Sequence, residues 1–117
     1  MAYRVVITKA GSPSVLKVQD MDVPLPKGGE VCIEVHFAGI NFADTLMRLG
    51  LYQPMPPFPF TPGYEVSGTI QSLGTGVTEF EIGQRVVAAM PTGGQCSHVC
   101  VKVSRVIDGD TFEVLFG

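Results

Sequence analysis

A chain of 117 residues with 45% hydrophobic and only 16% charged residues amounts to one domain with enough apolar material for a real core, which argues against disorder. A formal charge of −3 and the lack of any Lys/Arg run argue against nucleic acid or an anionic membrane as partner, and no apolar run approaches a membrane span. Three cysteines, an odd number with no secretory signal, favour reduced thiols in a cytoplasmic setting over a disulfide framework.

In chain order, residues 3–8 alternate weakly and read as a first strand, closed by Ala10-Gly-Ser-Pro13. Residues 16–23 follow, with Leu16, Val18 and Met21 apolar, and stop at Pro24-Leu-Pro26. Residues 30–38 are the strongest strand. Val31, Ile33, Val35 and Phe37 take one face, and Glu30, Cys32, Glu34 and His36 the other. Then the period changes. Phe42, Leu46 and Leu49 fall at i, i+4 and i+7, which predicts one short helix over about 41–49. Asn41 stands at the N-cap, Asp44 sits in the first turn, and Gly50 supplies the residue that commonly ends a helix.

After Tyr52 comes Pro54-Met-Pro-Pro-Phe-Pro59, stiff and short of donors, and so unsuited to a sheet. Residues 64–73 form a long strand in which Gly68 suggests a bulge or bend. Turns at Gly74-Thr-Gly76 and Phe80-Glu-Ile-Gly83 lead to strands over 85–90 and 95–103. Six short strands and one helix predict a mainly β, partly open barrel rather than alternating βαβ units.

Several motifs occur in one order at familiar gaps. They are Gly39-Ile-Asn-Phe-Ala-Asp44, Arg48 with Gly50-Leu-Tyr52, Pro62-Gly-Tyr-Glu-Val-Ser-Gly68, Gly76-Val77 with Phe80, Gly83 and Arg85-Val86, and Gly93-Gly94 before a final strand. Together they closely resemble the GroES-like N-terminal catalytic domain of medium-chain dehydrogenase/reductases. The resemblance is nearest to the zinc-independent quinone oxidoreductases and their synaptic-vesicle-protein-like relatives, and runs from Tyr3 to about Ile107. It implies a GroES-like barrel over 1–107 and a separate extension over 108–117.

That resemblance also implies what to look for in the site. Zinc-dependent members carry a Cys near the Asn41 position and a His in a Gly-His-Glu motif. Here Gly39 to Asn41 and Gly63-Tyr64-Glu65 stand there, so no catalytic zinc is expected. Cys96, His98 and Cys100 form a C-x-H-x-C pattern, but ordinary strand packing is the expected role, with no metal. Family members bind NADPH in a downstream Rossmann fold, and no G-x-G-x-x-G occurs in these 117 residues. The expected activity of the parent family is hydride transfer to a small-molecule quinone or enone. This chain is expected to be inactive alone.

The resemblance places Asn41 and Tyr52 as catalytic and cofactor-contacting residues lining the nicotinamide and substrate pocket. Both can donate to an oxygen without titrating near neutrality. Each has a plainer reading, Asn41 as a pure N-cap and Tyr52 as packing. Tyr64 is either pocket wall or buried strand residue, and Phe58 either lines the substrate mouth or packs its loop. Asp44 is read as a helix-start carboxylate before a general base, and Glu65 and Arg48 are candidates to pair. The extension, Asp108-Gly-Asp-Thr-Phe-Glu-Val-Leu-Phe-Gly117, reads as a turn and a strand covering an open edge, or as an engineered scar resembling a protease-recognition sequence. Two other functional classes stay open: a non-catalytic scaffold module that forms homo-oligomers through bare edges, and a co-chaperonin-like ring subunit.

Overall fold

Residues 30–38 carry three β-branched side chains on alternate positions, and the strand they build, β3 (Glu30–Ala38), is the spine of the structure. The computed structural model describes residues 1–103 in full and the backbone of 105–108 and 113–116. Two strands precede the spine, β1 (Ala2–Ile7) and β2 (Leu16–Met21), paired antiparallel as a separate ribbon. After it come helix α1 (Phe42–Leu49), then β4 (Glu65–Leu73), β5 (Arg85–Ala89), β6 (His98–Lys102), β7 (Arg105–Asp108) and β8 (Glu113–Phe116). The larger sheet runs β6-β3-β4-β5-β8-β7, antiparallel except where β8 joins β5 in parallel. The expected Asp108-Gly109 turn lies outside the described residues.

The main core lies on one face of this sheet. Val31, Ile33, Val66, Ile70, Phe80, Val86, Ala88, Met90 and Val101 are buried together there. Two bulges modulate the β3–β4 pairing. Register slips between Cys32 and Ile33, where Gln71 is the extra residue, and again between Val35 and Phe37, where it is His36. The second slip falls beside Gly68, whose partner Val35 immediately precedes the extra His36, with the extra residue on β3 and not on β4. The bare Cα of Gly68 is needed because a Cβ there would run into the Glu34 carbonyl. The His36 bulge corrects the expected facing of the spine. Past it the alternation advances by one residue, so Ala38 packs on the core and Phe37 is 76% exposed.

The ribbon closes the barrel only in part. Residues 95–97, expected to extend β6, are shared between two strands: Ser97 O still accepts from the Val35 N–H of β3 at 2.8 Å, while the same segment also pairs with β1. The Val5 N–H donates to Gln95 O at 2.9 Å and the Ser97 N–H to Tyr3 O at 2.8 Å. The proline loop of residues 54–59 enters no strand, as expected, and β-structure resumes only after it. Phe60, just beyond its last proline, exchanges two main-chain bonds with Ile7 at 2.8 and 3.2 Å. Both the Gln53–Pro54 and Phe58–Pro59 bonds within that loop are cis.

Candidate functional site

Helix α1 begins where the chain leaves β3 in extended conformation. Asn41 has φ −121° and ψ 159°, its N–H donates to Asp44 Oδ2 at 2.8 Å, and the Asp44 N–H donates to Asn41 O at 3.0 Å. The helix ends on Gly50 at φ 76°, a left-handed residue. Gly50 N–H reaches Met47 O and Leu51 N–H reaches Leu46 O, the paired bonds of a Schellman closure. Both ends therefore follow the expectation. The buried face does not. Met47 and Asp44 are the buried residues, whereas Phe42 is 77% exposed and Leu49 42%. The helix turns its Asp44–Met47 side onto Ile7, Val15 and Phe60, forming a second, smaller core that includes the half-buried Tyr52, Met55 and Tyr64.

Over this second core opens a cleft of about 370 Å³. Met47, Tyr52, Met55 and Tyr64 form its walls, and Pro54, Pro56 and Pro91 its rim, with Thr92 beside them. Among the described residues no charged side chain lines it. Thr92 Oγ1 donates to Thr61 O at 2.6 Å, tying the loop after β5 to the proline loop and fixing the rim. The size and apolar lining suit a small, mostly neutral ligand held by a few polar groups.

Those polar groups are the two phenols. The Tyr64 hydroxyl is buried and has no hydrogen-bond partner. The Tyr52 phenol beside it, then burial, then the charge of Asp44, disfavour its ionisation and push Tyr64 up to about 12. Tyr64 therefore stays protonated at neutral pH, a donor without an acceptor. Asp44 is 7% exposed and its Oδ1 is likewise buried without a partner, while Oδ2 holds the helix start.

The other residues singled out from the sequence lie around this cleft rather than in its walls. Asn41 is half-buried, and its Nδ2 donates to Glu65 at 3.0 Å (Oε1) and 3.2 Å (Oε2). Phe58 is outside the lining, with its ring 5.5 Å from that of Phe60. The expected Arg48–Glu65 pair is not formed, since Arg48 Nη1 donates to Gly11 O and Glu65 takes Asn41. Sequence reasoning missed Met47 and Met55 as cleft walls. Met47 sits one helical step from Asp44 (i, i+3), and that spacing is the signal that could have found it.

Cys96, His98 and Cys100 line a separate cavity of about 200 Å³ with Arg4, Met21 and Pro24. Burial pushes the Cys96 thiol up to about 11 and the Cys100 thiol up to about 12, and raises fully buried Cys32 as well. Protonated thiols are poor metal ligands and poor nucleophiles. Among the described residues no group of three or more His, Cys, Asp or Glu side chains could hold a metal ion.

Comparison with known proteins places these features in context. The alcohol dehydrogenase GroES-like domain family matches residues 27–111. Quinone oxidoreductase of Rattus norvegicus is 44% identical over 85 residues, 72% of this chain and 26% of that protein. The crystal structure of human synaptic vesicle membrane protein VAT-1 homolog-like protein aligns with a TM-score of 0.82 at 34% identity, over 86% of this chain and 32% of that one. Escherichia coli quinone oxidoreductase complexed with NADPH aligns with a TM-score of 0.75 at 33% identity, over 86% and 31%. The chain spans about a quarter of the rat relative's length.

Proposed function

The chain belongs to the alcohol dehydrogenase GroES-like domain family, as a quinone oxidoreductase-like N-terminal domain, and from that premise we propose that it forms the substrate wall of a hydride-transfer site for quinones or enones. One observation carries this reading: a largely apolar cleft of about 370 Å³ with two phenols, Tyr52 and Tyr64, in its wall. A quinone is flat and apolar across its ring and offers only acceptor oxygens. Tyr52 and Tyr64 offer donors, and Met47 and Met55 offer polarisable sides that adapt to a planar ring.

Bound NADPH supplies the hydride in this chemistry. Asn41 and Tyr52 would hold its nicotinamide end, and the partnerless Tyr64 hydroxyl beside an uncharged pocket fits a ligand that brings an oxygen acceptor. Tyr52 donates to the substrate's carbonyl oxygen and so stabilises the charge that develops there on reduction. Tyr64, whose hydroxyl has no partner in the protein, donates a second hydrogen bond to the same substrate oxygen. Met47 and the proline rim exclude water from that hydrogen bond. No glycine-rich phosphate-binding turn occurs in these 117 residues, so the isolated chain binds quinone without turning over NADPH.

The test uses tetramethyl-1,4-benzoquinone, whose substituted ring resists thiol addition. Titrated into isotope-labelled protein, it should shift the Tyr52 and Tyr64 ring resonances. Tyr52→Phe should weaken binding about fivefold, the scale of one lost hydrogen bond. A titration that leaves both rings unshifted overturns the proposal.

A further inference from the structure

A feature that the cleft does not use lies on the spine itself. Cys32 on β3 and Cys100 on β6 are direct cross-strand partners, in a ladder that runs unbroken from Glu30 opposite Lys102 to Glu34 opposite His98. Main-chain bonds fix the phase of that ladder. The Val35 N–H donates to Ser97 O at 2.8 Å just past one end, and the Val103 N–H to Gly29 O at 2.9 Å just past the other. Hydrogen-bonded and non-hydrogen-bonded pairs alternate along an antiparallel ladder, so Cys32 and Cys100 form a non-hydrogen-bonded pair. Such partners stand closest, with Cα atoms about 4.5 Å apart, inside the span of roughly 4.4–6.8 Å that a disulfide bridges.

The side chains agree with the backbone. The two thiols are hydrogen-bonded to each other, and Cys32 also to Ser72, its partner on β4. Cys32 is fully buried. Cys100 is half-buried and lines the cavity of about 200 Å³ whose other walls include Arg4 of β1 and Met21 of β2. That volume far exceeds the share of one water, about 30 Å³, so a small oxidant reaches Cys100 there. Cys96 lines the same cavity, but its Sγ donates to Gly93 O at 3.2 Å and its bridge partner is Arg4, not a cysteine.

We propose that Cys100 and Cys32 are a site of reversible oxidation, in which hydrogen peroxide enters this cavity and closes a disulfide between β6 and β3. The Cys100 thiolate attacks one peroxide oxygen, the O–O bond breaks, hydroxide leaves and the sulfur becomes a sulfenic acid. The Cys32 sulfur then attacks that sulfur, gives up its proton and displaces the hydroxyl as water. In sum, two thiols and one peroxide become one disulfide and two waters. Burial pushes Cys100 up to about 12 and raises Cys32 too, so thiolate is scarce at neutral pH and the bond forms slowly. The same protonation denies the reduced pair the thiolate stabilisation that makes a disulfide easy to break. The bond is therefore a latch between the edge strand β6 and the spine, closed by sustained oxidation and opened by a dithiol.

The first test needs no variant. Reduced protein is incubated with hydrogen peroxide at about pH 9, where raised thiols begin to ionise. It is then alkylated with iodoacetamide in urea, digested without reductant and mapped by tandem mass spectrometry. The expected product is two hydrogens lighter than the reduced chain, links Cys32 to Cys100, leaves Cys96 alkylated and reverts in dithiothreitol. Cys96→Ser should bridge at the wild-type rate. In the double variant Cys32→Ala with Cys96→Ser, its fold checked by circular dichroism, Cys100 has no partner thiol and should run on to the sulfinic acid. A link through Cys96, a bond between two chains, or three unchanged thiols overturns the proposal. So does wild-type protein in which Cys100 gains oxygen while Cys32 stays alkylatable.

Discussion

The two apolar clusters of this domain are made of different material. The larger, on the face of β3, β4, β5 and β6, is dominated by valine and isoleucine, whose branched side chains have few rotamers and interlock with little freedom. The smaller, under α1, mixes Met47, Phe60 and the half-buried Met55, Tyr52 and Tyr64 with only Ile7 and Val15. Three side-chain oxygens among the described residues are buried without partners, and two of them, Asp44 Oδ1 and Tyr64 Oη, belong to the smaller cluster's surroundings. Such groups cost stability where they stand. The third, Gln71 Oε1, stands on β4 at the bulge beside Ile70, so the larger sheet carries one such group and the surroundings of the smaller cluster two.

The sharpest way to break this contrast is to truncate one residue in each cluster. Ile33→Ala, at a fully buried position on the spine, should cost about 4 kcal/mol in urea unfolding, because the stiff neighbours cannot collapse into the space. Met47→Ala should cost less, about 2 kcal/mol, since thioether and half-exposed phenol neighbours can refill the gap. Equal losses would mean the two cores are one.

Alkaline pH should separate the regions by proton count. Tyr64 is held at about 12 against an ordinary 10, and Cys96 and Cys100 at about 11 and 12 against 9. Raised values mean that the unfolded chain surrenders these protons first. The protection they confer is complete below about pH 9 and is lost as the pH climbs toward 12. The urea midpoint should therefore stay level with respect to these groups up to pH 9 and fall beyond it, and Tyr64→Phe should flatten the part of the fall above pH 10. At neutral pH the same Tyr64→Phe change removes a buried orphan hydroxyl, so stability should hold or rise by up to about 1 kcal/mol. Smallest of all, Phe42→Ser should shift the urea midpoint by less than about 0.5 kcal/mol, because the ring is 77% exposed.

That last prediction marks where sequence reasoning stops. The helix ends were legible, because Asn41 and Gly50 carry local backbone chemistry that their neighbours cannot alter. The spine was legible to the residue, Glu30–Ala38, from its β-branched alternation. Which helix face is buried was not. Periodicity finds apolar residues, but Phe37, Ile40, Phe42 and Leu51 are all exposed, and only the position of Ile7 and Phe60 decides that Met47 is the inner residue. A single extra residue at His36 likewise defeats a count by twos. Tyr52 and Tyr64 could be picked out as pocket candidates, and both line the cleft. The Asn41–Glu65 pair spans 24 residues of sequence, and its one local trace is a glycine at 39 whose purpose emerges only in three dimensions.

The rung between Ile7 and Phe60 has an evolutionary consequence. It ties down the end of the proline loop with main-chain bonds alone, which no replacement other than proline removes directly. Met55, Pro56 and the rest of that loop can therefore drift from one descendant to another while their backbone stays tethered. The repertoire of accepted ligands could diversify by point mutation without each variant having to rediscover where its binding surface should sit.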